Sequence, residues 1–288
     1  MVHKPVLLKE VLKILDPQPG EFFADGTVNG GGHAKVVIEK ISPTGKFLGL
    51  DLDETAINKF AAPQSKAKII LINDNFKNML EILEKEKLGK PDGLLLDLGF
   101  SSNELQDSGR GFSFLRDEPL LLTYSNKTKP AFQWLEDLKE NKLGQIIKDF
   151  SEERFAFKIA KAIKKNLPIK TSLKLSAVIK SALPKKYEHG RIHPATRTFQ
   201  ALRIFVNDEL DNLKKILLDL PLILNAGGRV AVISFHSLED RIVKQNFKKF
   251  EQNGDFEILT KKPITPTEDE LFSNSRSRSA KLRAIKKL

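Results

Sequence analysis

The sequence predicts an α/β fold in which one doubly wound, mostly parallel sheet is interrupted by an inserted helical domain. Two observations predict it. Short, continuously apolar runs alternate with helical patterns in two parts of the 288-residue chain, and a turn-rich, then helical stretch separates those parts. Such runs are typical of strands buried on both faces, and a strand–helix–strand order produces right-handed parallel crossovers.

Four apolar runs form the first part of the predicted sheet, with a helical pattern after each of the first three. The runs cover 22–24, 46–50, 69–72 and 93–96, and the helical patterns cover about 33–41, 54–61 and 76–88. Because sequential strands joined by helices pair in parallel, we expect the carboxyl ends of all four strands at one edge of the sheet.

The strand–helix alternation stops after Ser102 and resumes beyond residue 192. The second part contains a long helix near 196–219, a strand over 229–233, a helix from Ser237, and strands over 256–259 and 281–285. Ser237, with Asp240 three residues later, resembles a capping box. The predicted domains are therefore 1–105, a helical substrate-recognition insert over 106–192, and 193–288 with a basic tail.

The positive charge is confined to two segments. The formal net charge is +11, but residues 139–191 hold 14 Lys and Arg against 5 acids, and 276–288 hold 6 and no acid. Within 155–165 the apolar residues recur every four positions, and the lysines fall on a second face: Lys158, Lys161 and Lys165. A solvated helix face has the same pattern, but two basic segments around an acidic remainder favour a nucleic acid partner.

Several classes of protein are excluded by composition. The chain has no cysteine, which rules out a disulfide scaffold and a thiolate nucleophile. No stretch approaches the roughly 20 apolar residues of a membrane span, so we expect a soluble, cytoplasmic protein that contacts no membrane. His189 and His193 have no evident third ligand and precede Pro194, so no metal is expected.

Polar residues follow the first four predicted strands. They are the loop Asp25-Gly26-Thr27-Val28-Asn29-Gly30-Gly31-Gly32-His33, the acids of Asp51-Leu52-Asp53, the run Asn73-Asp74-Asn75-Phe76, and Asp97. Glycines permit close approach of a ligand, and an acid after the second strand suits ribose hydroxyls, so an adenosine cofactor is predicted. The loop lacks the G-x-G-x-x-G fingerprint of pyrophosphate binding, while several carboxylates suit the cationic S-adenosyl-L-methionine. A tight strand-to-helix turn is the alternative for the glycines alone.

The segment 191–203 combines cations, hydroxyls and an aromatic ring at the start of a helix. Arg191, Arg197 and Thr198 suit phosphate, because helix N-termini and arginines both bind anions. Phe199 has two interpretations, stacking on a base or packing in the core, and the core is favoured.

Longer blocks of sequence stand in order across nearly the whole chain. They include Leu96-Asp97-Leu98-Gly99-Phe100-Ser101-Ser102, Arg110-Gly111-Phe112-Ser113-Phe114, Glu152-Glu153-Arg154, His193-Pro194-Ala195-Thr196-Arg197 and Ser234-Phe235-His236-Ser237. Together with the glycine loop, these blocks resemble the MraW/RsmH family of bacterial small-subunit ribosomal RNA methyltransferases.

The resemblance implies a Rossmann-like class I methyltransferase domain split by a substrate-recognition insert. It also implies methylation of the exocyclic amine of one cytidine in 16S ribosomal RNA of the small ribosomal subunit, with S-adenosyl-L-methionine as donor. By position, the implied cofactor contacts are Gly31, Gly32, His33, Asp51, Phe76, Asp97 and Glu104. We expect Asp97 to lie near the reacting amine or the methionine end of the cofactor, with Ser101 and Ser102 orienting the base.

The sequence departs from the family pattern at several positions. Asn29 replaces a common glycine, Phe100 a valine, and Asn103-Glu104 a Pro-Gln pair, while 117–124 lacks an expected acid and arginine. Two rival functions stay open: a nucleotide-binding oxidoreductase on the same fold, and a ribosome-assembly factor without catalysis. The sequence leaves open whether the protein is a monomer or a homodimer.

Overall fold

The computed structural model describes residues 4–99, 109–184, 187 and 193–288. Its contacts divide the chain into two compact units. The sheet unit comprises Met1–Ser101 and Leu210–Leu288, and the helical unit comprises Ser102–Glu209. The domain boundaries at 105 and 192 stay a prediction. The second boundary differs from the division of contacts because the helix Thr196–Val206 packs within the helical unit.

Within the described residues, seven strands form one sheet. They are β1 (Phe22–Asp25), β2 (Lys46–Asp51), β3 (Lys68–Asn73), β4 (Gly93–Asp97), β5 (Arg229–Ser234), β6 (Phe256–Ile258) and β7 (Lys281–Lys287). The order is β3-β2-β1-β4-β5-β7-β6, and only β7 runs antiparallel to its neighbours. The predicted α/β fold with a mostly parallel sheet is therefore confirmed.

The described helices are numbered in chain order. They are α1 (Leu8–Leu15), α2 (Gly32–Ile41), α3 (Glu54–Lys59), α4 (Met79–Lys85), α5 (Ala131–Asp137), α6 (Glu140–Ser151), α7 (Ala156–Lys165), α8 (Ser172–Ala182), α9 (Thr196–Val206), α10 (Glu209–Ile223), α11 (Ser237–Gln252) and α12 (Glu268–Ser273). No helix among these is long and apolar enough to cross a membrane.

Apolar layers cover both faces of the sheet, which explains why its central strands read as continuous apolar runs. Leu94 and Leu96 of β4 point into one layer with side chains of α4, α10 and α11. Leu95 points into the other with α1 and α2. Successive side chains of a strand face opposite sides of the sheet, so each apolar strand contributes side chains to both layers. The edge strand β3 is only partly buried.

The helical unit is held together by close helix packing and by one long lysine. The Phe157 ring of α7 packs closely against Gly144 of α6. A Cβ added to this glycine would lie only 2.5 Å from Phe157 Cδ1. Lys164 Nζ donates to the carbonyl oxygens of Leu135 and Glu136, at 2.8 and 2.9 Å. Those carbonyls belong to the last turn of α5, where a cation is stabilising.

The single long helix predicted near 196–219 is wrong, because α9 and α10 are separate helices. Asn207 Nδ2 donates to Leu122 O at 2.8 Å, and its Oδ1 accepts from Tyr124 N at 3.0 Å. Asp208 then adopts a left-handed conformation with φ of 51°. The side chain of Asn207 thus serves the 122–124 backbone where the helix ends, and such contacts compete with a continuous helix.

Two other helix starts also differ from prediction. The pattern at 76–88 is a 3₁₀ turn at Phe76–Asn78 followed by α4. The capping residue of α11 is His236 rather than Ser237: its side chain accepts from Glu239 N, and the Glu239 carboxylate accepts from Phe235 N and His236 N. The predicted capping box was one residue late because an imidazole nitrogen takes the role usually filled by a hydroxyl.

Candidate active site

The carboxyl ends of β1, β2 and β4 meet where the strand order switches direction. From β1 the chain crosses outward to β2 and β3, and then returns to place β4 on the other side of β1. Such a switch is the usual ligand site of an open parallel sheet. Three carboxylates lie at these strand ends, and all are buried: Asp25, Asp51 and Asp97. We call them the acidic cluster.

A threonine ties the end of β1 to the end of β4. Asp25 Oδ1 accepts from Thr27 N at 2.9 Å and from Thr27 Oγ1 at 3.4 Å. Thr27 Oγ1 in turn accepts from Asp97 N at 2.7 Å. Sequence reasoning missed Thr27 as a site residue. The Asp-x-Thr spacing indicates a local turn, but nothing in it indicates the contact with a residue 70 positions away.

Asp51 is held by backbone donors from two loops. Its Oδ2 accepts from Asn29 N at 2.7 Å, and its Oδ1 accepts from Asp53 N at 2.9 Å. Asn29 has a left-handed φ of 50°, which asparagine tolerates better than most residues. The asparagine at position 29 therefore suits the left-handed conformation that the loop adopts here.

The glycines of the first loop make room for the protein's own side chains. A Cβ on Gly26 would lie 2.9 Å from Phe76 Cβ, and one on Gly31 would lie 2.7 Å from Phe60 Cε2. A Cβ on Gly32 would lie 2.9 Å from the Pro5 ring. These glycines therefore serve internal packing, and the cofactor contacts of Gly31, Gly32 and Phe76 stay predictions.

His33 is a neutral, buried link between the amino-terminal segment and the acidic cluster. Its Nε2 lies 2.9 Å from Val6 O, and a carbonyl only accepts, so Nε2 carries the proton. Its Nδ1 therefore presents a lone pair, 3.6 Å from Asp97 Oδ2. Burial lowers the pKa of His33 to about 4, so the ring is uncharged at neutral pH.

Burial gives the acidic cluster a strong preference for positive charge. Burial raises the pKa of Asp25 to about 7. The hydrogen bonds from Thr27 lower this pKa, and the negative charges of Asp97 and Asp51 raise it. Burial likewise raises the pKa of Asp51 to about 6. A proton or a bound cation relieves the cost of such desolvated carboxylates, whereas a phosphate would increase it. The site thus suits a sulfonium or ammonium ligand.

Four predicted site residues lie at or just after the end of β4, and only Asp97 is among the described residues. Its Oδ1 accepts from Gly99 N at 3.2 Å. Ser101, Ser102 and Glu104 lie outside the described residues, so their predicted roles stay predictions.

The predicted RNA-contacting residues of the helical unit differ in exposure. The three lysines of α7 are exposed, on a different face from the buried Ile159 and Ile163: Lys158, Lys161 and Lys165. The Arg197 side chain is 44% exposed. Thr198 is fully buried, and its hydroxyl has no hydrogen-bond partner among the described residues. Phe199 is buried, as the core interpretation predicts, and Arg191 lies outside the described residues.

Comparison with known proteins gives one family over the whole chain. The family described as the MraW methylase family matches residues 1–288. Two similar proteins, each 40% identical, are named ribosomal RNA small subunit methyltransferase H. One is from Syntrophus aciditrophicus (99% of this chain, 98% of that protein), and the other is from Clostridioides difficile (99% of each). The chain also aligns with the structure of an rRNA methylase from Streptococcus thermophilus at 10% identity and a TM-score of 0.42, covering 98% of this chain and 93% of that one.

Proposed function

Because the chain belongs to the MraW methylase family, we propose that it methylates the exocyclic amine of a specific cytidine in 16S ribosomal RNA of the small ribosomal subunit. S-adenosyl-L-methionine is the methyl donor. The observation that carries the proposal is the buried acidic cluster at the switch in strand order. It supports a positively charged adenosine cofactor over a dinucleotide.

The residues present fit this donor, which carries a sulfonium, an ammonium and no phosphate. In the proposal, Asp51 accepts hydrogen bonds from the ribose hydroxyls, as an acid after the second strand does in related folds. Phe76 contacts the adenine, while Asp25 and Asp97 face the cationic end. When bound, the cofactor supplies an activated methyl group on sulfur.

The protein's chemical task is to orient a weak nucleophile. The lone pair of the cytosine amine is delocalised into the ring, so alignment of the reacting atoms is the main source of acceleration, and orientation is worth up to ~7–11 kcal/mol. Asp97 accepts a hydrogen bond from the amine and stabilises the positive charge that develops on nitrogen. The proposal assigns Ser101 and Ser102 to orienting the base. No covalent intermediate is required.

Binding of RNA is assigned to the helical unit. Lys158, Lys161, Lys165 and Arg197 offer exposed positive charge for phosphates. Arg191 belongs to the same proposed set, whereas Thr198 offers no exposed surface in this conformation. The target cytidine leaves its stack to react, as base-modifying enzymes require. We place the activity in the cytoplasm, and both a monomer and a homodimer are compatible with it.

The decisive experiment supplies labelled S-adenosyl-L-methionine to small subunits that lack the modification, followed by nucleoside mass spectrometry. We expect labelled cytidine methylated on its exocyclic nitrogen. Label on a ring carbon or on a ribose would contradict the amine assignment. Cofactor binding without any transfer to the subunit would favour the non-catalytic assembly factor.

Calorimetry separates the proposal from the oxidoreductase alternative. We expect binding of S-adenosylhomocysteine and none of NAD, because the acidic cluster disfavours a pyrophosphate. Tight NAD binding that competes with S-adenosylhomocysteine would contradict the proposed cofactor.

A further inference from the structure

The helical unit contains a buried carboxylate that the proposed chemistry does not use. Glu153 is 1% exposed and lies in the short segment between α6 and α7. A buried carboxylate is costly unless donors or cations surround it. The groups around Glu153 therefore indicate what it stabilises.

Both oxygens of Glu153 are engaged, by partners from three parts of the chain. Oε1 accepts from Phe155 N at 2.9 Å, and Oε2 accepts from the Tyr187 hydroxyl at 2.5 Å. Arg197 Nη1, at the start of α9, lies 3.9 Å from Oε2. Burial, together with the hydrogen bond to Glu153, raises the pKa of Tyr187 to about 12, so the phenol stays a donor at neutral pH.

Two exposed arginines lie beside Glu153 or beside the aromatic rings next to it. Arg197 keeps 44% of its side chain exposed, and it approaches Glu153 through one guanidinium nitrogen, Nη1, at 3.9 Å. Arg154 is also exposed, and its guanidinium carbon lies 4.9 Å from the Phe155 ring centre and 5.7 Å from that of Tyr187. A guanidinium stacked on a ring keeps its N–H edge available for other acceptors.

We propose that Arg154 and Arg197 form an RNA phosphate clamp and that Glu153 is the positioning residue that holds it. We call these three residues the arginine clamp. The inference rests on the proposed function and adds two residues to it. Glu153 attracts Arg197 through the 3.9 Å ion pair, and it holds the Tyr187 hydroxyl, whose ring lies 5.7 Å from the Arg154 guanidinium carbon. The Tyr187 ring also lies edge-on to Phe155, with centres 5.8 Å apart.

The charge balance fits a polyanion, and the side-chain chemistry fits its phosphates. Four cations, Arg154, Lys158, Lys161 and Arg197, stand against two acids, Glu152 and Glu153, so this surface stays net positive. Arginine presents a planar fork that binds phosphate oxygens in pairs, which a flexible lysine does not. A structural ion pair alone explains Glu153 and Arg197, but it does not explain why Arg154 is stacked in place with its charge in solvent.

The test measures affinity for unmethylated 16S ribosomal RNA over a salt series, with the full-length chain. Arg154→Ala and Arg197→Ala should each weaken binding about tenfold and reduce the salt slope by about one. Lys248→Ala is the matched control, since it removes an exposed positive charge from α11 of the sheet unit, and it should bind like the wild type. Wild-type affinity for both arginine variants would overturn the clamp.

Glu153→Gln distinguishes positioning from simple electrostatics. The substitution adds one positive charge, so a surface that acts only through its net charge would bind RNA more tightly. The positioning role predicts binding several-fold weaker, because Arg197 loses its fixed partner. In an Arg197→Ala background, Glu153→Gln should lose most of this effect. Tighter or unchanged binding in the single variant would overturn the positioning role.

Tyr187→Phe repeats this test with less risk to folding. It removes one donor to Glu153 and leaves all charges and the ring in place, so we expect a two- to threefold loss of RNA affinity with unchanged cofactor affinity. If Glu153→Gln fails to fold, as judged by circular dichroism, Tyr187→Phe decides, and wild-type RNA affinity would then overturn the positioning role.

Two measurements identify the ligand and separate this inference from the proposed function. Inorganic phosphate at millimolar concentration should not displace the RNA, and displacement would assign the clamp to a small phosphate ligand instead. Methyl transfer by the wild type tests the proposed function on its own. If the wild type transfers the methyl group and the clamp variants bind RNA as tightly as the wild type, the clamp is contradicted and the proposed function stands. If the wild type transfers no methyl group and the clamp variants bind RNA weakly, the proposed function is contradicted and the clamp stands.

Discussion

The acidic cluster of the sheet unit and the lysine face of α7 in the helical unit use charge in opposite ways. Asp25, Asp51 and Asp97 are buried and tied to backbone donors. The lysines Lys158, Lys161 and Lys165 are exposed on one helix face. Buried charges act at short range on a small ligand, because their geometry and protonation are set by the protein. Exposed charges act at longer range on a polyanion and are screened by salt.

The comparison explains what the net charge of +11 means for this chain. A single basic surface would oppose the binding of a cationic methyl donor. The carboxylates lie at buried strand ends, and most of the excess lysine and arginine lies in the helical unit and the tail. The proposed function requires this separation, because its two ligands have opposite charges.

Removing the central carboxylate should give the largest effect. Asp97→Ala is expected to reduce methyl transfer by at least ~10³-fold, because it removes the acceptor for the reacting amine and part of the preorganised charge. Labelled methyl incorporation into small subunits measures it. Asp211→Ala, an exposed acid on α10, is the control and should retain wild-type turnover. Near-normal turnover of the Asp97 variant would remove this residue from the chemistry.

Reversing the lysine face should impair RNA binding while leaving the cofactor bound. The triple variant Lys158→Glu, Lys161→Glu, Lys165→Glu should weaken RNA affinity by one to two orders of magnitude and flatten the salt dependence by about 0.7–0.9 per lost phosphate contact. Filter binding over a salt series measures both.

The matched control for this variant changes the same charge on α11: Lys244→Glu, Lys248→Glu and Lys249→Glu. Equal losses in the two triple variants would mean that only the total charge of the protein matters. The contrast between a local basic face and the acidic cluster would then be lost.

The strand-end acids were predictable from sequence, but the way they are held was not. Continuous apolar runs mark the strands, and the residue after each run must lie at the carboxyl edge of the sheet, which predicts the positions of Asp51 and Asp97. The link from Thr27 to Asp97 joins residues 70 apart, and the ring of His33 is fixed by Val6 O from a segment 27 residues before it. Periodicity carries no information on such tertiary contacts.

The helical unit shows the same limit on a larger scale. The amphipathic pattern of α7 correctly separated its lysines from the buried Ile159 and Ile163. The end of α9 was missed because Asn207 bonds to the 122–124 backbone, about 85 residues away. Propensity alone gives no reason to stop a helix there, so the tertiary contact decides.

The pH dependence of stability provides a sharper test of burial in the acidic cluster. The pKa of Asp25 is about 7 in the folded state against 3.8 for an ordinary aspartate, so the folded state binds the proton more tightly. The contribution of Asp25 to the free energy of unfolding is therefore full below about pH 4 and lost as the pH rises through 7. As the pH rises from about 4 to 7, Asp25→Asn should therefore gain stability relative to the wild type, on the order of a few kcal/mol by pH 7.

Urea unfolding at a series of pH values measures this difference in the free energy of unfolding.

His33 contributes to the free energy of unfolding with the opposite pH dependence. Its folded pKa of about 4 lies below the ordinary 6.5, so its contribution is present above pH 6.5 and is lost as the pH falls towards 4. His33→Gln should therefore gain relative to the wild type on acidification, while Asp25→Asn gains at higher pH. Parallel pH profiles for the two variants would contradict the burial of one or both groups.

The smallest expected effect concerns Thr198, whose buried hydroxyl has no hydrogen-bond partner within the described residues. Leaving a buried hydroxyl unpaired costs ~1–3 kcal/mol, and valine has nearly the same shape without the polar atom. Thr198→Val should therefore stabilise the protein by about 1 kcal/mol and leave RNA affinity unchanged, since the side chain has no exposed surface. Thr198→Ser, which keeps the hydroxyl and loses a methyl group, is the control and should be less stable than the wild type. Loss of RNA affinity in the valine variant with unaltered stability would instead restore the predicted phosphate contact, and would mean that this part of the helical unit opens when RNA binds.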